Sequence, residues 1–372
     1  MKAKKIRSLA TVVSLISVMV FSYILAAACT CVQAASPASK QINLKFAMFF
    51  PPTSQQAKLW EEYCNEVEKQ TGGAVKISYY AGGTLLGPDR VADGTRDGVT
   101  DIGLFQILYH PGKFPVSEAA TVPGYPTAWV GTHVVDDFWR EFKPKELDRF
   151  HVLTAATHGP MIIWSQGPIQ KLEDLKGKRL RVQGLAADIV TRLGGTPLNL
   201  PAGDIYDAMM RGLLDGTIFP FETARTWRLA EVSKYVIDAG SIFNFGIFYT
   251  VMNKSKWDGL PKNVQAVIDK VSLEWVERSA RMWNENDMEG AELARSRDIK
   301  FLLLSAEERA RWMTAVQPVV DQYVKDMTGR GFPEKDVKGY LDYVKKRTDY
   351  WLKKQIESGI KSATGPAEVR VK

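Results

Sequence analysis

Cysteine is scarce in this sequence: there are three in 372 residues, and Cys29 and Cys31 lie near the N-terminus. After the first 34 residues only Cys64 remains, so that part of the chain cannot form an internal disulfide. Cys64 shares a helical face with Trp60 and Val67. This apolar setting favours a buried, unreactive thiol over a nucleophile.

The motifs that mark common enzyme classes are also missing. The sequence has no G-x-x-x-x-G-K-S/T phosphate loop, no G-x-G-x-x-G fingerprint, no H-E-x-x-H zinc motif and no G-x-S-x-G elbow. The histidines show no metal-ligand spacing; they are His110, His133, His151 and His158. We therefore expect no metal site, no cofactor and no enzymatic activity.

The chain carries only a small excess of positive over negative charge once the N-terminus is set aside. The formal net charge is +7, and four of the positive charges come from Lys2, Lys4, Lys5 and Arg7. No later run of lysine and arginine is interleaved with aromatic residues. Nucleic acid is therefore not an expected partner.

The N-terminus predicts export. Its basic residues precede an apolar run over residues 9–28, and Val32-Gln33-Ala34 forms a small-residue cleavage site. Residues 1–34 are therefore interpreted as a signal peptide that delivers a mature chain, starting at Ala35, to the periplasm. The alternatives are an uncleaved anchor and a lipoprotein attached at Cys29.

Hydrophobic patterning predicts an α/β fold. Alternating strands at 42–49, 75–80 and 101–105 are separated by helical segments, which is typical of a largely parallel sheet. Ligands of such sheets bind beyond the carboxyl ends of the strands, so the loops at 49–54 and 105–109 are candidates for lining a site.

The second half of the chain contains a proline-free helical pattern over residues 263–298. A helix of this length is about 50 Å long, which suggests that it bridges two domains. Ser305 begins a capping box for the next helix, helical pattern returns at 334–356, and the C-terminal segment 359–372 is predicted to be disordered.

The stretch 171–184 contains the sharpest candidate for ligand binding. It predicts a helical turn and a strand in which Leu180 and Val182 share one face while Arg179 and Arg181 share the other. A guanidinium is a planar fork that matches a carboxylate, and burying it without an anion is costly. The alternative is that both arginines lie on a solvated face.

Three other residues near strand ends have both a functional and a structural interpretation. Glu222 could orient Arg181 or simply be a charge at a helix N-terminus. Phe219 could be a pocket wall or part of the core. His158 ends a strand beside Gly159 and could be a ligand or a hydrogen-bonded loop residue.

An ordered set of motifs resembles the periplasmic solute receptors of TRAP transporters, of the DctP type. The resemblance covers about residues 42–350. The segments that carry it are Gly-Gly-Thr-Leu-Leu-Gly at 82–87, Asp-Gly-Val-Thr-Asp-Ile-Gly at 97–103, the 172–181 stretch, Gly-Leu-Leu-Asp-Gly at 212–216 and the 252–261 stretch.

The resemblance implies a two-domain α/β periplasmic solute-binding protein fold. Each domain is a mixed sheet flanked by helices, and crossing strands and a long helix join the two. The implied bounds are 41–157 plus about 247–298 for domain I, and 158–246 plus about 299–358 for domain II. The receptor is expected to be a monomer that passes a small organic acid to a TRAP permease driven by an ion gradient.

The family's ligand-carboxylate arginine corresponds to Arg181. The sequence departs from the family at Ile218 and Phe219, where many members have Glu-Asn, and at 160–162, where a second arginine is often found. Fewer polar groups indicate a monocarboxylate, possibly aromatic or a 2-oxo acid. The other candidate ligand-binding residues are Gln106, Tyr109, His158, Asn244, Tyr249, Phe50, Phe219 and Glu222.

Three alternatives to this receptor stay open on the sequence. The first is a C4-dicarboxylate receptor, the second is a ligand-sensing partner of a membrane signalling protein, and the third is a secreted enzyme on the same scaffold.

Overall fold

The computed structural model describes residues 41–121, 125–184, 186–239, 242–243 and 246–371. The strands are β1 (Ile42–Ala47), β2 (Val75–Tyr80), β3 (Ile102–Gln106), β4 (Phe150–Thr157), β5 (Ile162–Ser165), β6 (Arg179–Arg181), β7 (Thr196–Leu198), β8 (Gly216–Phe219), β9 (Tyr235–Asp238), β10 (Ile247–Asn253) and β11 (Lys300–Leu303). The α-helices are α1 (Gln55–Gln70), α2 (Val91–Arg96), α3 (Ala128–Phe142), α4 (Ala186–Arg192), α5 (Ile205–Met210), α6 (Thr223–Thr226), α7 (Leu229–Val232), α8 (Lys254–Asp258), α9 (Lys262–Ser296), α10 (Ala306–Gly329) and α11 (Glu334–Glu357).

Two mixed sheets organise the fold, as the α/β prediction requires. The first has the order β2-β1-β3-β10-β4, in which β1 and β3 are parallel and β10 runs antiparallel to both β3 and β4. The second has the order β11-β9-β5-β8-β6-β7, in which β6 is parallel to β7 and β8 while β5 is antiparallel to β8 and β9. Helices flank both sheets and bury separate apolar clusters against them.

The chain crosses between the sheets more than once. It leaves β4 of the first sheet for β5 of the second at residues 158–161, and it returns from β9 to β10. The 35-residue helix α9 packs against α1, α3 and β4, and also against α6. The predicted long helix is thus present, and a largely apolar stripe gives it partners along its length.

Local capping agrees with the sequence patterns. The Ser54 hydroxyl accepts a hydrogen bond from the Ala57 amide at the start of α1, and the Ser305 hydroxyl accepts one from the Glu308 amide at the start of α10. Each bond satisfies an amide that has no partner within its helix.

Some boundaries differ from the sequence prediction. The first strand, predicted at 42–49, is β1 and ends at Ala47. The long helix, predicted at 263–298, is α9 and ends at Ser296. Helix α3 begins at Ala128, where the Thr127 hydroxyl accepts from the Val130 amide.

The C-terminal segment corrects the prediction of disorder. Ala363 and Val369 are buried, and the Thr364 hydroxyl donates to the Pro126 carbonyl at 2.9 Å. Arg370 forms an ion pair with Asp238 at 2.9 Å. These partners are more than 130 residues away in the chain, so local composition could not indicate them.

Helix α11 also packs differently from the predicted domain assignment. It was grouped with the second domain, but it packs against α3 and buries Val337 and Val344 in the apolar cluster of the first sheet. Its polar sequence does not specify which of the two sheets receives its apolar stripe.

Among the described residues, no helix is long and apolar enough to cross a membrane. The predicted signal peptide, residues 1–34, lies outside the described residues.

Candidate functional site

Arg181 is the last residue of β6 and is only 2% exposed. Its Nε donates to the Leu200 carbonyl at 2.9 Å. Its buried Nη2 has no hydrogen-bond partner among the residues that the structure describes. The parallel pairing of β6 with β7 and β8 places this guanidinium at the carboxyl edge of the second sheet, where α/β folds bind ligands.

The neighbouring Arg179 has a very different environment, although both arginines were predicted to share one face. Its Nε donates to an Asp215 carboxylate oxygen at 3.0 Å, and its Nη2 donates to the Gly212 carbonyl at 2.8 Å. Its side chain is nearly half exposed. Arg179 is therefore committed to a structural ion pair, and Arg181 is the arginine left to meet an anion.

Two aromatic side chains enclose the Arg181 guanidinium. Its Cζ lies 4.5 Å from the centre of the Phe219 ring at the end of β8, a cation–π distance. The Tyr109 hydroxyl also lies close to the guanidinium. Burial lowers the pKa of Arg181, and Tyr109 opposes this by a smaller amount. The guanidinium nevertheless keeps its proton, because arginine does not deprotonate in proteins.

Tyr109 connects the two sheets. It follows β3 of the first sheet, while the Arg181 side chain close to its hydroxyl belongs to the second. Burial raises the pKa of Tyr109, so the phenol stays protonated. A protonated phenol can donate a hydrogen bond.

An aromatic cluster extends from Tyr109 into the first sheet. Its ring stands edge-on to Phe49, with the ring centres 5.6 Å apart, and Phe49 stacks on Phe50 at 4.6 Å. Phe248 and Trp283 continue the cluster, their rings stacked at 4.9 Å. The predicted loop at 49–54 and the predicted residue Phe50 therefore lie on the side of the first sheet that faces Arg181.

A cavity of about 650 Å³ has Tyr109 in its wall, whereas Arg181, Phe219 and the aromatic cluster are not among its described lining residues. Tyr109, Gln183, Asn199 and Pro201 line it, so residues on both sides of the Leu200 carbonyl reach it. Its volume is typical of small-molecule sites. The described lining residues include no lysine, arginine or histidine.

His158 and Gln106 lie close to the aromatic cluster but are engaged with backbone. His158 Nδ1 donates to the Gly159 carbonyl at 2.8 Å, and its Nε2 accepts from the Gly246 amide at 3.1 Å. Burial lowers the pKa of His158 to about 4, so the ring is neutral. Gln106 is buried at the end of β3, and its side chain covers Gly246.

Glu222 lies in a buried polar cluster. This cluster is where the crossing segment, residues 158–161 between β4 and β5, meets α9. One of its carboxylate oxygens accepts from Gln56 Nε2 at 3.1 Å, and its backbone amide donates to Asp287 Oδ1 at 3.0 Å. Burial raises the pKa of Glu222 to about 7 and raises that of Asp287 well above its usual range. The structure thus does not bring Glu222 to Arg181.

Two further predicted residues are not brought to the cavity. Tyr249 is buried in the core of the first sheet, where its hydroxyl is 3.1 Å from that of Ser117. Asn244 lies outside the described residues. The described residues contain no group of histidine, cysteine and carboxylate side chains able to hold a metal ion.

Sequence reasoning missed Asp287, Phe248 and Trp283. A signal existed for Asp287, because it occupies a buried position between Trp283 and Ala291 on the apolar stripe of α9. A carboxylate within such a stripe indicates a polar cluster in the core. Phe248 and Trp283 look like ordinary core residues in the sequence.

The sequence model of a family described as bacterial extracellular solute-binding protein, family 7 (DctP), matches residues 46–326. A TRAP solute-binding protein of Rhodoferax ferrireducens, crystallised with copurified benzoate, is 25% identical in sequence with a TM-score of 0.78, covering 84% of this chain and 99% of that one.

Two curated relatives carry different ligands in their names. The C4-dicarboxylate-binding periplasmic protein DctP of Rhodobacter capsulatus is 24% identical over 76% of this chain and 87% of its own length. A monocarboxylate 2-oxoacid-binding periplasmic protein of a Nostoc species is 25% identical over 61% of this chain and 63% of its own length.

Proposed function

Since the chain belongs to the DctP family of bacterial extracellular solute-binding proteins, we propose that it captures a small organic monocarboxylate through Arg181. The family and the fold are those of TRAP periplasmic solute receptors, not of enzymes. Such receptors bind organic acids and work with TRAP permeases, so the captured acid is passed to an ion-driven membrane transporter.

The observation that carries this proposal is the buried Arg181 guanidinium. It is 2% exposed, it cannot lose its charge, and its Nη2 has no partner among the described residues. A buried charge without a counter-charge is destabilising by several kcal/mol, roughly 3–5 in measured cases. A ligand carboxylate would supply the counter-charge and the missing acceptor together.

A monocarboxylate fits these surroundings better than a dicarboxylate. Arg181 lies against Phe219 and Tyr109, which suit an apolar or aromatic body behind the carboxylate. The neighbouring cavity, whose wall contains Tyr109, has no cation among its described lining residues that could meet a second carboxylate. The benzoate and 2-oxoacid ligands of two relatives support this class, whereas the C4-dicarboxylate named for the Rhodobacter relative would leave one carboxylate without a cation.

The mechanism is ligand-stabilised closure of the two sheets around the cavity. Arg181 and Phe219 come from the second sheet, whereas Tyr109 follows a strand of the first. A ligand that contacts both sides favours the closed arrangement over the open one, and no bond is made or broken. A monomer exported by residues 1–34 is sufficient for this cycle.

The test is ligand-induced thermal stabilisation with benzoate, pyruvate and succinate as probes. Wild-type protein should be stabilised by at least one monocarboxylate, by about 2.7 kcal/mol at a concentration 100 times its Kd. Arg181→Met preserves side-chain length without charge and should abolish this stabilisation. Unchanged stabilisation of Arg181→Met would sink the proposal.

Arg179→Met is the matched control. It removes an identical charge two residues away on the same strand, and it breaks the partly exposed pair with Asp215 and a hydrogen bond to the Gly212 carbonyl. Its ligand-induced stabilisation should equal that of the wild type. Circular dichroism of both variants establishes that each is folded.

A further inference from the structure

The C-terminal segment, residues 360–371, folds into a compact loop, which we call the C-terminal strap. Within it, the Ser362 amide donates a hydrogen bond to the Val369 carbonyl at 2.8 Å. Arg370 Nε donates to the Gly365 carbonyl at 3.0 Å. These bonds fix the Arg370 guanidinium relative to the rest of the loop.

The strap is anchored to the first half of the molecule, the elements that pack on the first sheet. Helix α11 precedes the strap and packs against α3 in this half. Gln355, near the end of α11, is fully buried and accepts from the Thr127 hydroxyl at 2.7 Å. Within the strap, the Thr364 hydroxyl donates to the Pro126 carbonyl at 2.9 Å, directly before α3. The loop that carries Arg370 is therefore bonded to the first half.

The end of the strap reaches the second half, the elements that pack on the second sheet. Arg370 Nη2 forms an ion pair with Asp238 Oδ2 at 2.9 Å. Asp238 is the last residue of β9, and the return of the chain to β10 begins directly after it. Its side chain is 9% exposed, so this pair is screened less than a pair on the open surface. Ala363 adds an apolar contact, because it belongs to the cluster of the second sheet.

The ion pair is made in an arrangement in which the two halves meet at the candidate site. Tyr109 of the first half lies close to Arg181 of the second. Tyr109 and Gln183 also line one cavity from the two halves. Opening moves the second sheet, and Asp238 with it, away from the first sheet. Because the strap is bonded to the first half, this movement separates Asp238 from Arg370.

We infer that the C-terminal strap stabilises the closed arrangement through the ion pair between Arg370 and Asp238, and thereby raises the affinity for the ligand. Neither residue lines the cavity beside Tyr109, so the effect passes through closure and not through contact with the ligand. Loss of the pair increases the open population, and the apparent affinity falls with the fraction of closed molecules. The strap lies outside residues 46–326, which the family model matches. The effect on affinity rests on the proposed function, whereas the effect on closure needs no ligand.

The first measurement follows closure directly, by pulsed electron spin resonance on the mature protein with spin labels at Asp89→Cys and Asp188→Cys. These two exposed residues line the cavity beside Tyr109, one from each half. Cys64 is buried and burial raises the pKa of its thiol, so it does not compete for the label. Without ligand, adding Arg370→Met should shift the distances between the labels to longer values than in the same labelled protein with Arg370. A saturating ligand should restore the shorter distances.

The second measurement is affinity by calorimetry, in protein without the labels. Arg370→Met should bind benzoate or pyruvate, whichever the wild type binds, about fivefold more weakly. Arg347→Met is the matched control. Its ion pair with Asp137, at 2.6 Å and of similar exposure, joins α11 to α3 within the first half. The control should reduce thermal stability and leave both the label distances and the affinity unchanged.

The outcomes separate the strap from the proposed function. Label distances in Arg370→Met that match those of its parent would overturn the strap inference, with or without a ligand. Longer distances with unchanged affinity would also overturn it, and so would an equal loss of affinity in Arg347→Met. If the wild type binds neither benzoate nor pyruvate, the proposed function fails, and the label distances still decide whether the strap favours closure.

Discussion

Two buried regions of this protein hold ionisable groups without a counter-charge, and they differ in whether the charge can be given up. Arg181 is 2% exposed in the second sheet, with Phe219 and Tyr109 around it. Glu222 and Asp287 are 4% and 0% exposed where α9 meets the crossing segment. Neither carboxyl forms an ion pair with a described residue.

The difference follows from their proton chemistry. Burial raises the pKa of Glu222 to about 7 and raises that of Asp287 well above its usual range, so both carboxyls can take up a proton and become neutral. The guanidinium of Arg181 cannot lose its proton at any relevant pH. A buried acid cluster can therefore be a structural junction, whereas a buried lone arginine points to an anionic ligand.

The largest expected effect tests the close packing of Gly159 against Asp287, where the crossing segment meets α9. A Cβ added at Gly159 would collide with the Asp287 carboxylate, which is fixed by the Glu222 amide. Gly159→Ala should lower the free energy of unfolding by about 3 kcal/mol in urea denaturation. Gly203→Ala is the control, since a Cβ there meets no atom within 4 Å. A loss no larger than that of the control would contradict the packing at this junction.

The next effect is the pH dependence of stability. Because the folded pKa of Glu222 is about 7 and its ordinary value is 4.5, the folded state holds the proton more tightly. Stability should therefore fall as pH rises from about 4.5 to 7, and Glu222 contributes about 3 kcal/mol to that fall.

Glu222→Gln should flatten this slope and make the protein more stable than the wild type above pH 7. Urea unfolding at intervals between pH 4.5 and 8 measures it. Glu289→Gln, which removes a carboxyl paired with Arg225 at 2.6 Å, is the matched control and should keep the wild-type slope. An unaltered slope in Glu222→Gln would show that this carboxyl is ionised throughout the range.

The smallest expected effect concerns the other buried region, around Arg181. Tyr109→Phe removes a hydroxyl that can donate to a ligand carboxylate but retains the ring packed on Phe49. Carboxylate affinity should weaken about fivefold, near 1 kcal/mol, as measured by calorimetry. Tyr249→Phe is the control, because its hydroxyl meets only Ser117 in the core. It should reduce stability and leave affinity unchanged, and equal effects of the two variants on affinity would refute the role of Tyr109.

The sequence alone determined the periodic parts of this protein. The strand and helix alternation predicted the α/β sheets, the proline-free pattern predicted α9, and Ser54 and Ser305 marked helix starts. These features depend on neighbours within a few residues, which the sequence displays directly. Arg181 was also identified in advance, but only with help from the family resemblance.

Only the tertiary structure decided which arginine of β6 lacks a carboxylate partner and which residues surround it. Arg179 and Arg181 alternate identically in sequence, yet Asp215 neutralises the first and no described carboxylate reaches the second. The partners of Glu222 and the packing of the C-terminal segment join residues far apart in the chain. Such contacts arise from the meeting of elements in space, and local pattern carries no information about which elements meet.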